Sequence, residues 1–183
     1  MRIAVVGRGN VGGGLAQLWR DSGHDVTELG RDGGDVSDAE AVLLAVPGSD
    51  VASAFDTVRG FEGKTVIDAT NLLQGERPQG FDSLAEFVKS RTNGPVAKGF
   101  NLNFARVYDR LGEARARPSN PYCGDEEARE VFERLSQDAG YEAVYAGGLE
   151  NARVLEDSLQ LLFAIMQAGM GPFVYRMAPP DQL

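Results

Sequence analysis

Three glycines near the amino terminus, Gly7, Gly9 and Gly12, follow a short apolar run at residues 3–6 and precede a segment with apolar residues at helical spacing. In a strand–turn–helix unit the first glycine permits the tight turn, the second lets the backbone approach a pyrophosphate, and the third lets the helix pack closely on the strand. The helix amino terminus then offers free N–H groups and a positive dipole to the phosphates. The spacing predicts a dinucleotide site made of Gly7, Arg8, Gly9, Asn10, Val11 and Gly12.

Gly30 and Arg31 directly follow the predicted second strand, where an acid about 20 residues beyond the glycines would bind the adenosine ribose. Glycine removes the carboxylate that would repel a 2′-phosphate, and arginine supplies a planar, permanent cation that pairs with phosphate. The two residues therefore favour NADP(H) over NAD(H), and Arg8 is placed to contact the same phosphate or the pyrophosphate. Asp32 would weaken phosphate binding unless it points away. Glu28, inside the strand, stays open as a ribose ligand.

Residues at the ends of the later strands are expected to line the rest of the cleft, because open parallel sheets bind ligands across the carboxyl ends of their strands. The residues that this rule places along the cofactor toward its nicotinamide are Ala45, Val46, Pro47, Asn71 and Asn101. An asparagine amide can bind a carboxamide or a substrate carbonyl there, although asparagine also favours local turn bonding.

The sequence shows very little recognisable catalytic chemistry. His24 lies in the turn before the second strand, at the opposite edge of the sheet, and Cys123 is a lone thiol with a packing role as its default. Lys98, in a predicted strand, is either a donor to substrate or part of an interior ion pair. No catalytic triad or metal-ligand spacing is present in the sequence, so no catalytic residue is assigned. Hydride transfer between two bound cofactors needs alignment rather than a protein acid or base.

The elements that must position these residues alternate between strand-like and helix-like patterns over the first half of the chain. This alternation predicts an α/β fold, a Rossmann-like doubly wound and mostly parallel sheet. Residues 30–40 are too few for the usual next helix and strand, so that unit is expected to be almost absent. We expect one domain over residues 1–183, with a long C-terminal helical extension at about residues 149–177. Its broad apolar stripe fits packing on the sheet or on a second subunit.

Composition narrows the function further. The chain has 183 residues, enough for a sizeable core, and a net charge of −9, which argues against a nucleic-acid partner. One cysteine excludes an internal disulfide and fits a reducing compartment. The first 20 residues lack a signal-peptide pattern, and no apolar stretch is long enough for a membrane span. We therefore expect a cytoplasmic protein that acts on a small redox substrate, without a nucleic-acid or membrane partner.

Several motifs together resemble those of the F420-dependent NADP oxidoreductases, which share their fold with the cytosolic NADPH-binding domain of membrane ferric reductases. The motifs that carry the resemblance lie at residues 7–12 with a further glycine at 14, and at residues 23–26, 30–31, 45–47, 98–101, 123–125 and 147–153. The resemblance implies hydride transfer between C4 of NADPH and C5 of a deazaflavin, which would lie over the nicotinamide in a cleft closed by the C-terminal helices. It also implies a homodimer that pairs through those helices.

The chain departs from that family at two positions beside the predicted phosphate site. The family typically has Ser or Thr before the first arginine and another basic residue after it, whereas this chain has Gly30 and Asp32. Three functions therefore stay open: an NADP(H)-dependent oxidoreductase with a deazaflavin or flavin acceptor, a reductase of a small carbonyl, imine or metal chelate, and a non-catalytic NADPH-binding module such as a redox sensor or electron-transfer subunit. A catalytic acid near Asn101 would favour the second.

Overall fold

The computed structural model describes residues 1–182, in which helices cover both faces of a central β-sheet. Its regular elements, in chain order, are β1 (Arg2–Val6), α1 (Asn10–Asp21), β2 (Asp25–Leu29), β3 (Gly34–Asp35), β4 (Ala41–Leu44), α2 (Val51–Thr57), β5 (Val58–Arg59), β6 (Thr65–Asp68), α3 (Leu84–Thr92), β7 (Val96–Lys98), β8 (Ser119–Gly124), α4 (Glu126–Asp138), β9 (Glu142–Tyr145) and α5 (Ala152–Ile165). Short 3-10 turns at residues 48–50, 105–113 and 149–151 join some of them.

The main sheet has seven strands in the order β2-β1-β4-β6-β7-β8-β9. The first five run parallel, β8 is antiparallel to β7, and β9 is parallel to β8. From β1 the chain first moves outward to β2 and then crosses back to β4, so the strand order reverses between β1 and β4. Ligands of such sheets bind at this switch point, outside the carboxyl ends of the strands. The predicted doubly wound, mostly parallel fold is confirmed.

The unit after β2 is as short as the sequence predicts. Its remnant, β3, has two residues and pairs with β5 instead of joining the main sheet, with Gly34 opposite Val58 and Asp35 opposite Arg59. Val58 has extended backbone angles (φ −109°, ψ 133°), because it ends α2 and begins this small ladder.

The core lies in two apolar layers, one on each face of the sheet. On one face α1 packs against β1 and β2, α4 packs against β6 and β7, and the buried indole N–H of Trp19 donates to the Leu135 carbonyl at 2.9 Å. On the other face α2 and α3 cover the sheet with residues such as Val51 and Leu84, and α3 lies against β6 and β7. All four residues of β4 are buried, as expected for a central parallel strand covered on both sides.

The C-terminal helix is shorter than its apolar pattern predicts. After α5, residues 166–170 form a π-helical turn, and positive φ angles at Gly169 (116°) and Gly171 (70°) end the helix, so its predicted extension to about residue 177 was wrong. The following segment runs along the start of β8. There the Ser119 N–H donates to the Tyr175 carbonyl and the Met177 N–H donates to the Ser119 hydroxyl, both at 2.8 Å.

Candidate nucleotide-binding site

A cavity of about 810 Å³, here called the first cavity, lies at the carboxyl ends of β1, β2 and β4. The predicted residues that line it are Gly7, Arg8, Gly9, Gly30, Arg31, Ala45, Val46 and Pro47. Sequence reasoning missed the wall that α2 contributes, which includes Ser53, Ala54 and Thr57. No motif in the sequence marks these three residues as ligand-binding. They line the cavity because α2 passes beside the switch point of the sheet.

The glycine turn has the geometry that its spacing predicts. Gly7 has a φ of 110°, and a Cβ on Gly12 would lie 1.9 Å from the Gly7 carbonyl oxygen, so both positions require glycine. A Cβ on Gly9 would meet no protein atom within 4 Å. The position that a Gly9 side chain would occupy is therefore open to the cavity, and a pyrophosphate could approach the backbone there.

The amino terminus of α1 has no side-chain cap. Gly9 is its N-cap residue, no acidic residue lies in its first turn, and its first backbone bond runs from the Gly13 N–H to the Gly9 carbonyl at 2.8 Å. The N–H groups of Asn10, Val11 and Gly12 precede that bond and have no intrahelical partner. These three residues do not line the first cavity, so their contribution to it is the positive end of the helix.

Two cations lie at the β2 end of the first cavity. Arg8 and Arg31 are both exposed there, and within residues 1–182 neither guanidinium forms an ion pair with a carboxylate. Asp32 also lines this end. Glu28, which the sequence left open as a ribose ligand, is bound by Arg20 at 2.8 Å. The cavity therefore offers unpaired positive charge close to one acid.

Asn71 and Asn101 lie beyond the opposite end of the first cavity and do not line it. Asn71 packs against the turn after Pro47, where a Cβ on Gly48 would lie 2.5 Å from the Asn71 carbonyl oxygen. Asn101 is 5% exposed, and its side-chain NH₂ donates to Asn71 Oδ1 at 3.0 Å and to the Leu155 carbonyl at 3.2 Å. Asn101 thus ties Asn71 to α5.

A second cavity, of about 390 Å³, lies between the loop after β6 and one face of α5. Apolar side chains on its wall include Leu72, Leu159 and Phe163. Its charged side chains are Arg77, Arg153, Glu156 and Asp157. Asn71 also lines the second cavity. Because Asn71 packs against the turn after Pro47, it connects the second cavity to that end of the first cavity.

A buried ion cluster supports the strand ends beside the second cavity. Lys98 is fully buried, and its Nζ lies 2.9 Å from Asp68 Oδ2 and 3.3 Å from Glu156 Oε1. Asp68 Oδ1 accepts the backbone N–H of Thr70 at 2.9 Å and its hydroxyl at 2.6 Å, so the cluster holds the turn that leads to Asn71. Of the two roles open for Lys98, the structure shows the interior ion pair. The acid at the end of the apolar strand β6 was the signal that could have identified its partner.

His24 and Cys123 lie apart from both cavities. His24 is 7% exposed, and its Nε2 lies 2.8 Å from Asp138 Oδ2, so the ring connects the turn before β2 to the end of α4. Cys123 is fully buried, and burial raises the pKa of its thiol to about 12. Both residues have structural surroundings, as the sequence predicts.

Over the described residues, no group of three or more His, Cys, Asp or Glu side chains is arranged to hold a metal ion. None of the helices in residues 1–182 combines the length and the apolar composition that crossing a membrane requires.

Neither a protein-family model nor a curated protein sequence matches the chain. The fold, in contrast, is shared with many solved structures. A protein from Arthrobacter sp. FB24, provisionally assigned as an F420-dependent NADP reductase, is 23% identical with a TM-score of 0.81, over 98% of this chain and all (100%) of that one. A hypothetical protein from Sinorhizobium meliloti is 21% identical with a TM-score of 0.66, over 82% of this chain and 86% of that one.

An imine reductase from Aspergillus terreus, solved with NADPH4 and dibenz[c,e]azepine, is 15% identical with a TM-score of 0.66. The similarity covers 92% of this chain and 63% of the imine reductase. At these identities the likeness shows a common Rossmann-like fold, which agrees with the family resemblance of the sequence motifs.

Proposed function

We propose that this protein is an NADP(H)-dependent oxidoreductase that transfers hydride between the nicotinamide and a deazaflavin-type or flavin-type acceptor. The observation that carries the proposal is the meeting of an uncapped helix amino terminus, an open glycine turn and two unpaired arginines at one cavity of the switch point. Each of these features favours an anion, and together they fit a ligand with phosphates at two separate places.

The residues of the first cavity would hold the cofactor in sequence along its length. The diphosphate would lie against the open side of Gly9 and the N–H groups at the start of α1. The adenosine end would reach Gly30 and Arg31, where a phosphate would meet positive charge. Residues 45–47 would follow the middle of the ligand. Asn71, next to the turn after Pro47, would bind the carboxamide of the nicotinamide.

The second cavity is the place that we propose for the acceptor. Leu72, Leu159 and Phe163 provide apolar surface for a planar ring system. Arg77 and Arg153 are the cations of the same wall, and both pair with Asp157, at 3.1 Å and 2.6 Å; acidic substituents of the acceptor would compete with Asp157 for them. Bound NADPH supplies the hydride from its nicotinamide. The task of the protein is then to hold two rings together and to exclude water, and this task needs no protein acid or base.

Reduction of a small imine or carbonyl is a second candidate. Such a reaction needs a proton donor in addition to the hydride. The carboxyl groups of Glu156 and Asp157 line the second cavity and are the acids available there. The fold shared with an imine reductase keeps this candidate open.

We also propose that the protein forms a homodimer through its C-terminal helix, in the cytoplasm. Support comes from large apolar side chains that α5 and the following turn leave exposed: Val154 (61%), Leu161 (63%) and Met170 (65%). The single cysteine fits a reducing compartment. Sedimentation of the wild type and of Leu161→Asp tests the dimer, which we expect the charge to dissociate. A wild-type monomer at micromolar concentration would contradict it.

The test of the proposed function is an NADPH oxidation assay on the purified protein. The protein is first assayed alone, and then with coenzyme F420, FMN, a cyclic imine or a ferric chelate, and calorimetry measures NADPH and NADH binding in parallel. We expect oxidation with F420 or FMN and tighter binding of NADPH than of NADH. Turnover with the imine alone would favour the second candidate, and binding without any turnover would favour a non-catalytic module. Absence of NADPH binding would refute all three.

A further inference from the structure

The guanidinium of Arg8 lies directly on Gly30. A Cβ built on Gly30 would lie 2.0 Å from Nη2 of Arg8, 2.7 Å from its Cζ and 2.7 Å from its Nε. Gly30 is not among the residues with a positive φ, so its backbone conformation would accept a side chain. The space that Arg8 occupies, rather than the backbone, is therefore what requires glycine at this position.

This contact places the Arg8 side chain at the end of β2 and not over the helix axis. Arg8 belongs to the turn between β1 and α1, and its guanidinium reaches across to the neighbouring strand end, next to Arg31. The start of α1 already offers backbone N–H groups to a diphosphate. The Arg8 guanidinium is thus placed for a different anion, one that lies at the end of β2.

We propose that Arg8 and Arg31 together bind the 2′-phosphate of NADP(H), and that Gly30 determines this specificity because it leaves room for the Arg8 guanidinium. The inference rests on the proposed function and goes beyond it in two respects. It assigns Arg8 to one particular phosphate, and it gives Gly30 a role in specificity because its missing side chain leaves room for Arg8. Two planar cations that flank one dianion bind it more tightly than either alone. Arg8 then takes the part of the second basic residue, which Asp32 replaces in this chain.

The structure offers a direct way to separate the two residues. The atoms closest to a Cβ at Gly30 belong to the far end of an exposed, flexible side chain, so Gly30→Ala displaces Arg8 without disturbing the backbone. We expect Gly30→Ala and Arg8→Ala each to raise the Kd of NADPH about tenfold. The double variant is expected to match Arg8→Ala alone, because Gly30→Ala acts through Arg8.

The probes are NADPH, NADH, 2′,5′-ADP and ADP, each titrated into the intact protein by calorimetry. NADH and ADP lack the 2′-phosphate, so we expect their Kd values to change less than twofold in all three variants. Gly112→Ala and Arg115→Ala are the matched controls. A Cβ on Gly112 would meet no atom within 4 Å, Arg115 is exposed, and neither residue lines the first cavity.

Two results would overturn the inference while leaving the proposed function intact. In the first, Arg8→Ala weakens NADPH and NADH equally, which would assign Arg8 to the diphosphate. In the second, Gly30→Ala and Arg8→Ala have additive effects, or Gly30→Ala leaves the preference for NADPH unchanged. If the wild type binds neither NADPH nor 2′,5′-ADP, the proposed function itself fails, and the inference fails with it.

Discussion

Asn71 and Asn101 bind each other across the ends of the neighbouring strands β6 and β7. The Asn71 side-chain NH₂ donates to the Asn101 carbonyl at 2.8 Å, and the Asn101 side-chain NH₂ donates back to Asn71 Oδ1 at 3.0 Å. Asn101 also donates to the Leu155 carbonyl of α5. A single buried amide therefore sets the position of Asn71 relative to the helix that walls the second cavity.

Asn101→Ala is expected to weaken the hold on the nicotinamide end of the cofactor while sparing its adenosine end. The variant loses two hydrogen bonds at a buried site, so we expect the free energy of unfolding to fall by about 1–3 kcal/mol. Calorimetry should show weaker binding of NADPH and unchanged binding of 2′,5′-ADP, which lacks the nicotinamide.

Asn103→Ala is the matched control, because Asn103 also makes an amide–amide bond, to Asn120 at 2.8 Å, but its partner, unlike Asn71, lines neither cavity. It should lower stability while leaving the ratio of the NADPH and 2′,5′-ADP affinities unchanged. Parallel losses for both ligands in Asn101→Ala would show that Asn101 has no specific role at the nicotinamide end.

Arg31→Ala is expected to remove about 1.5–3 kcal/mol of NADPH binding free energy and to leave NADH almost unchanged, because a charge-assisted bond to the 2′-phosphate is lost. Titration calorimetry at two salt concentrations measures this, and the salt dependence should decrease in the variant. Arg106→Ala removes an exposed arginine outside the first cavity and should have no effect. An equal loss for both dinucleotides would contradict the assignment of Arg31.

Gly9→Val and Gly12→Ala should separate ligand binding from folding. Because a Cβ on Gly9 enters open space, Gly9→Val should keep its thermal stability and lose binding of both dinucleotides. A Cβ on Gly12 meets the Gly7 carbonyl at 1.9 Å, so Gly12→Ala should lower stability by about 1–3 kcal/mol through overpacking. Thermal denaturation with and without NADPH checks both. Retained NADPH binding in Gly9→Val would remove the diphosphate from this turn.

Lys98→Met is expected to destabilise the fold by about 3–5 kcal/mol, because it leaves the buried carboxylate of Asp68 without a cation, whereas Glu156 keeps Arg77 at 3.4 Å. Urea denaturation followed by circular dichroism measures the loss. Lys89→Met is the control, since Lys89 pairs with Asp125 at 2.7 Å with a side chain that is 41% exposed, and we expect a loss of about 1 kcal/mol or less. Equal losses would show that the buried cluster contributes no more than a surface pair.

The parts of the fold that depend on local spacing were predictable from the sequence. The turn at residues 7–12 and the buried strand β4 follow from glycine spacing and apolar runs, which act over a few residues. The helix after Leu149 was predicted too long, because apolar residues continue past Gly169 and Gly171, whose positive φ angles end it. The C-terminal segment packs on β8 instead, through contacts that join residues 119 and 177.

The same distinction holds within the site. Eight residues that line the first cavity were predicted because they occupy strand ends and the glycine turn, whereas the wall that α2 contributes was not. The contact between Arg8 and Gly30, and the bonds that Asn101 makes to Asn71 and Leu155, depend on how neighbouring elements are placed. These contacts join residues that are far apart in the sequence, so the pattern within one segment does not reveal them. The sequence could therefore suggest the residues but not their partners.

The near absence of a third strand has a consequence at the border of the sheet. Because β3 pairs with β5, β2 has a strand neighbour on one side only. A bare strand border can recruit a segment of another molecule and so begin aggregation. β2 begins with the exposed Asp25, and its other acid, Glu28, is paired with Arg20. Like charges on Asp25 of two copies would repel each other at such a junction. The short connection after β2 therefore leaves the charge on Asp25 to oppose pairing of this border with a second molecule, a task that a further strand would have removed.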